Sequence, residues 1–273
     1  MKSIIHTASC LLLMIAGQAF ADIEVSPLGP DEIPAAITGN APPLGGQDLH
    51  YYDQTPAAKG YLAAPDSQMP KGAVILIHEW NGLTDRVREV ADAFAREGYV
   101  ALAADLYQGR TGSNRDENMA LVKESLANPQ EIIDNLNAAA SYLKSREDVN
   151  GKVATIGWCY GGGVALSYAI GSENHEGTAI FYGRLVNDPE QLKHIHHEIL
   201  GTFAEMDTGP SPAQVNEFAE ALRAAGVSND LHIYDDVRHG FWLHVDRDPE
   251  TNSGPALDAW NRLRAYLERT IGG

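Results

Sequence analysis

Cysteine is scarce in this 273-residue chain: there are two, Cys10 and Cys159. Cys10 lies in an N-terminal stretch that begins with Lys2, continues through the apolar run CLLLMIAG and ends at Ala19-Phe20-Ala21. That small-x-small ending is the form signal peptidases cut, so residues 1–21 are expected to be a cleaved secretory signal. The mature chain then keeps Cys159 alone, which excludes an intramolecular disulfide. A lone thiol in an oxidising compartment must be buried, paired with another chain, or kept for its reactivity.

Positive charge is also in short supply, with 20 Lys and Arg against 37 Asp and Glu and a net charge of −17. Loss of Lys2 with the signal takes the mature chain to about −18. Such a chain repels polyanions, so nucleic acid and anionic membrane surfaces are poor partners. No stretch after residue 21 reaches the roughly 18 apolar residues that a membrane span needs. No long Ser/Gly-rich linker divides the chain and no internal repeat is found, so residues 49–273 are expected to form one domain. Residues 22–48, containing PLGP and APPLGG, read as an irregular arm in front of it.

From Ala73 onward, short apolar runs alternate with helical patterns, as in parallel βαβ units. AVILI (73–77), YVALAAD (99–105), KVATI (152–156), TAIFYG (178–183), EILGTFA (198–204) and LHIYDD (231–236) read as strands. Helices are expected over 84–98, from Asn128 to about Ser145, after Cys159, over 212–226 and over 255–271. LHYYD and KGYLAAP read as a small antiparallel pair ahead of the sheet. The fold class is therefore α/β, a mostly parallel sheet flanked by helices on both faces.

GWCYGG (157–162) follows the strand KVATI directly. A sharp strand-to-helix elbow strains its central residue and needs small residues two before and two after, here Gly157 and Gly161. It presents that residue at a helix N-terminus, where the dipole favours a thiolate. Plain packing by a small residue is the alternative. An elbow nucleophile needs an acid and then a histidine in later loops. Asp207 after EILGTFA and His239 in YDDVRHGF stand in that order, ahead of Asp235, Asp236, His232 and His244 as other candidates. The loop IHEWNGL (77–83) follows the first buried strand, where a backbone N–H completes an oxyanion hole with that of Tyr160. Glu79 in that loop is unusual for an esterase. The histidines of HIHH (His194, His196, His197) lack a carboxylate or cysteine at a known metal spacing and read as a solvated loop, so no metal or other cofactor is expected.

IHEWNGL, ADLYQGR, GWCYGGG, the Asp207 loop and RHGF together resemble the dienelactone hydrolase family, cysteine members of the α/β-hydrolase superfamily, over roughly Leu49 to the C-terminus. The resemblance implies an α/β-hydrolase fold and a nucleophile at Cys159 completed by Asp207 and His239. It also implies a Glu79 that interacts with the thiol and oxyanion donors at Trp80 and Tyr160. In that family two arginines hold a substrate carboxylate. Arg110 stands one residue later than the usual DLYxR spacing, and Leu243 occupies the place of the second, with Arg247 the nearest substitute. Trp158, Tyr182 and Trp242 are candidates to line the pocket or to pack the core. The expected activity is hydrolysis of small esters, lactones or thioesters in the periplasm or outside the cell, by a monomer or a homodimer. A redox thiol protein, or a silent binding protein on the same scaffold, is the competing reading.

Overall fold

The computed structural model describes residues 22–67 and 71–273. The expected signal, residues 1–21, lies outside them. In chain order the elements begin with β1 (Ile23–Glu24), α1 (Ala35–Thr38), β2 (Gln47–Leu49), β3 (Gly60–Ala63), β4 (Pro65–Asp66), β5 (Lys71–Ile77), α2 (Asp85–Arg96) and β6 (Val100–Ala104). They continue with α3 (Arg115–Leu126), α4 (Pro129–Lys144), β7 (Val149–Trp158), α5 (Tyr160–Gly171), β8 (Gly177–Phe181) and α6 (Pro189–Leu192). The C-terminal part holds β9 (Ile199–Ala204), α7 (Pro212–Ala225), β10 (Asn229–Tyr234) and α8 (Pro249–Ile271).

Eight strands form one sheet in the order β10-β9-β8-β7-β5-β6-β3-β2. Neighbours from β10 through β6 run parallel, and β3 and β2 add an antiparallel edge. The central strands are apolar throughout because both faces are covered. Val74, Leu76 and Ile156 face one side with α2 and α8, whose Phe94 and Trp260 fill that core. Ala73, Ile75 and Ile77 face the other with α4 and α5, through Leu136 and Tyr168. α7 extends that second layer over β9 through Phe218 and Phe203.

After β6 the chain crosses back, so β7 lies on the opposite side of β5. Loops leaving the carboxyl ends of β5 and β7 therefore diverge and leave a crevice between them, the usual ligand position in open α/β sheets. Trp80 follows β5 and Cys159 follows β7, so the topology brings both to this crevice.

Three local differences from the sequence reading have physical causes. Residues 22–48 are tied down rather than irregular throughout: β1 pairs with β4, and the buried Asp92 carboxylate accepts from the Gly45 N–H (2.7 Å) and the Tyr61 hydroxyl (2.7 Å). α8 starts at Pro249 rather than Pro255, because Asp248 caps it and Pro249 occupies the first helical position, leaving Pro255 inside the helix. α3 was not expected, because it buries only Asn118 and Leu121 and so has no stripe packed into a core.

Candidate active site

Cys159 has φ 54° and ψ −114°, left-handed backbone that costs a non-glycine residue energy. The surroundings hold it there: its N–H donates to the Phe181 carbonyl (3.0 Å), and its carbonyl accepts from the Gly163 N–H (3.3 Å). A Cβ at Gly157 would overlap the Gly161 carbonyl, and one at Gly161 would overlap the Ile77 carbonyl. The strained elbow is possible only with glycine at those two positions. Tyr160 is the first residue of α5, so its N–H has no carbonyl a turn earlier to donate to.

β9 and β10 deliver the other two groups. Asp207 is buried, and its Oδ1 accepts from the Gly209 N–H (2.9 Å). Its Oδ2 accepts from His239 Nδ1 at 2.6 Å. His239, with about one third of its side chain exposed (36%), lines the same cavity as Cys159. Burial alone would lower the imidazole pKa, but the hydrogen bond to Asp207 and the neighbouring Cys159 and Asp207 charges outweigh it, raising it to about 10. Cys159, His239 and Asp207 are thus brought together.

The loop after β5 is fixed by a residue that sequence reading passed over. His78 is fully buried; its Nδ1 donates to the Glu79 carbonyl (2.6 Å) and its Nε2 accepts from the Leu106 N–H (3.3 Å). Only the neutral ring with its proton on Nδ1 satisfies both contacts, and burial lowers its pKa in the same sense. The ring also stacks on Tyr160 at 5.8 Å between centroids, coupling the Trp80 loop to the elbow.

Glu79 stands in the loop after β5, next to Trp80 in sequence, and its Oε2 is hydrogen-bonded to His244 Nε2 at 2.7 Å. Both side chains are largely enclosed, at 11% and 14% exposure. The sequence reading weighed His244 as a base; the structure makes it the partner of Glu79. Asp235 and Asp236 are exposed, and His232 sits on β10 against Tyr234.

The remaining candidates separate clearly. Trp80, Tyr160 and Tyr182 line a cavity of about 560 Å³ with Cys159 and His239. Tyr182 packs on His239 at 4.9 Å, and its hydroxyl accepts from the Leu243 N–H at 3.2 Å. Trp158 and Trp242 instead stack on each other at 5.6 Å in the core, fully buried, and do not line the cavity. Arg110 is also outside it, held by two hydrogen bonds to Glu124 (2.9 and 2.7 Å) over a neighbouring depression. Arg247 borders a different hollow, beyond His239 and His244.

In the HIHH segment, His194 is exposed, His196 pairs with Glu173 (3.3 Å), and His197 turns inward to Thr178 (2.8 Å). Among the described residues no three His, Cys, Asp or Glu side chains converge as metal ligands, and no helix is long and apolar enough to cross a membrane.

Comparison with known proteins agrees with this architecture. The model of the dienelactone hydrolase family matches residues 58–271. A Saccharolobus solfataricus protein, provisionally named a carboxymethylenebutenolidase, is 30% identical over 257 residues, covering 80% of this chain and 97% of its own. The crystal structure of a provisionally named dienelactone hydrolase from Klebsiella pneumoniae superposes with a TM-score of 0.73 at 23% identity, over 82% of this chain and 98% of that one. A dienelactone hydrolase-like promiscuous phosphotriesterase from metagenomic libraries superposes with a TM-score of 0.75 at 19% identity, over 83% of this chain and 98% of the other. With the family model spanning most of the chain, the elbow, its flanking glycines and the crevice between β5 and β7 belong to an α/β-hydrolase fold, and the chain is a member of the dienelactone hydrolase family.

Proposed function

We propose that this protein hydrolyses ester or lactone carbonyls through a covalent intermediate on Cys159. The observation that carries the reading is a cysteine in strained backbone at a helix N-terminus, facing a histidine that a buried carboxylate holds at 2.6 Å. The names of the relatives point to the same class of reaction. The Cys159 thiolate attacks the carbonyl carbon, forming a C–S bond while the carbonyl π electrons move to oxygen. The backbone N–H groups of Trp80 and Tyr160 receive that oxyanion. Collapse expels the alkoxide, which takes a proton from His239, leaving an acyl thioester. His239, now neutral, removes a proton from water as the water attacks the thioester. Release of the acid restores the thiol pair.

Asp207 orients the imidazole and stabilises its charged form. We assign Glu79 a role in the thiol's protonation, since a carboxylate beside a thiol disfavours a second negative charge. Its hydrogen bond to His244 makes His244 the group that positions it. A secreted or periplasmic location is proposed from residues 1–21. Mass analysis of the exported protein checks that location; a mature chain beginning at Asp22 is expected.

The mechanism is tested with p-nitrophenyl acetate on wild type and Cys159→Ser. A loss of on the order of 10³-fold or more in kcat is expected, and retained turnover would exclude a cysteine nucleophile. In Glu79→Gln, alkylation of Cys159 by iodoacetamide at neutral pH should quicken by about 3- to 10-fold while turnover falls. Unchanged alkylation together with unchanged turnover removes the proton role.

A further inference from the structure

The cavity at Cys159 extends well past the reacting atoms. It follows α5 from Tyr160 through Gly163 and Ser167 to Gly171. At 3- and 4-residue spacing those positions lie on one face of the helix, so past Tyr160 the floor is a strip of small residues roughly 12 Å long. Val122 and Leu126 of α3, Ile133 of α4 and Val186 add apolar side chains to its lining. Met119 and Leu126 are about half exposed, at 49% and 45%, and both face this groove rather than a core. Among the described residues, Arg184 is the single cationic side chain lining it apart from His239, and no carboxylate does. A volume of about 560 Å³ suits a small-molecule site, and far exceeds what an acetyl group needs.

Orientation follows from the reaction. The leaving oxygen must face His239, which supplies its proton, and His239 packs on Tyr182 and is held by the Asp207 turn that carries Gly209. The arm of the substrate on the other side of the carbonyl is the acyl arm, and it is directed along α5. We propose that this groove binds the acyl chain of the substrate, so that the enzyme acts on neutral esters or thioesters of medium-length aliphatic acids rather than on small anionic lactones. Arg110 stands away from the cavity, tied to Glu124, and Arg184 is the cation that lies on the lining, beside Gly163.

This rests on Cys159 as the nucleophile, and the test separates the two. Initial rates are measured on p-nitrophenyl acetate, butyrate, hexanoate and octanoate with wild type, Cys159→Ser, Ser167→Phe and Met119→Glu. Ser167 and Met119 are exposed, so both changes are made on the surface of a helix. In wild type, kcat/KM should rise about 3- to 4-fold per methylene beyond the acetyl group until the groove is filled. Ser167→Phe places a ring across the floor and Met119→Glu a charge on the rim. Each should lower the octanoate-to-acetate ratio of kcat/KM by about tenfold or more. A flat chain-length series in wild type overturns the groove assignment, as does a ratio that both variants leave intact. Acetate turnover that survives in Cys159→Ser overturns the nucleophile instead.

Discussion

Two histidine sites lie at opposite edges of the same sheet and are shifted in opposite directions. At the carboxyl edge, His239 faces a buried carboxylate and a thiol, and its pKa rises to about 10. At the amino edge, His175 and His197 share one hydroxyl, Thr178 Oγ1, at 3.0 and 2.8 Å. Burial lowers His175 to about 3 and His197 to about 4, helped for His175 by the neighbouring His197 and Lys144 charges. Residue type alone therefore does not decide function. A buried imidazole bonded to a hydroxyl is held neutral and packs, whereas the partly exposed His239, bonded to Asp207, is held towards its charged form. The carboxyl edge also carries the elbow and the crevice, whereas the His175 ring stacks on Tyr168 at 4.4 Å as part of the core.

The largest effect is expected where that comparison is broken directly. Asp207→Asn leaves the shape but removes the charge, so His239 should titrate well below its present value of about 10. Turnover should fall by roughly 10²- to 10⁴-fold. Imidazole titration followed by NMR, paired with steady-state kinetics, measures both.

A smaller effect belongs to the pH dependence of folding. His239 is raised above its unfolded value of about 6.5, so its contribution is complete below that pH and is lost as pH climbs towards 10. His175 and His197 are depressed, so theirs is complete above about 6.5 and is lost as pH falls towards 3 to 4. Urea unfolding across pH should show that His175→Phe flattens the acid limb alone, while Asp207→Asn flattens the alkaline limb alone. The smallest change in activity is expected from Thr178→Val, which strands the two rings. Stability should drop by about 1–3 kcal/mol with kcat/KM on p-nitrophenyl acetate within about twofold.

The same contrast explains what the sequence disclosed. The strands of the central sheet were readable because burial on both faces writes unbroken apolar runs such as AVILI. The elbow was readable because its strain demands glycine at 157 and 161, and Asp207 and His239 because the chain order of an elbow enzyme is fixed by topology. The Glu79–His244 pair joins residues 165 apart, a distance that no local pattern encodes. Trp158 and Trp242 could not be assigned from sequence, since an aromatic beside a nucleophile looks alike whether it faces cavity or core; the parity of β7 turns Trp158 inward with Ile156. His78 was hidden because a buried, neutral, fully bonded histidine carries no spacing signature. α3 escaped because its apolar side chains face an open groove rather than a core. Residues that serve strain and topology leave strong sequence marks, whereas those that shape an open cavity leave weak ones.

The central claim is that Cys159 carries the acyl group. The most direct measurement is mass spectrometry of the protein quenched during turnover of p-nitrophenyl butyrate, in wild type and in His239→Asn, where water activation is removed. A butyryl mass on the peptide containing Cys159, more abundant in His239→Asn than in wild type, is predicted. Turnover with no adduct on Cys159 in either protein, or undiminished turnover in Cys159→Ala, would contradict it.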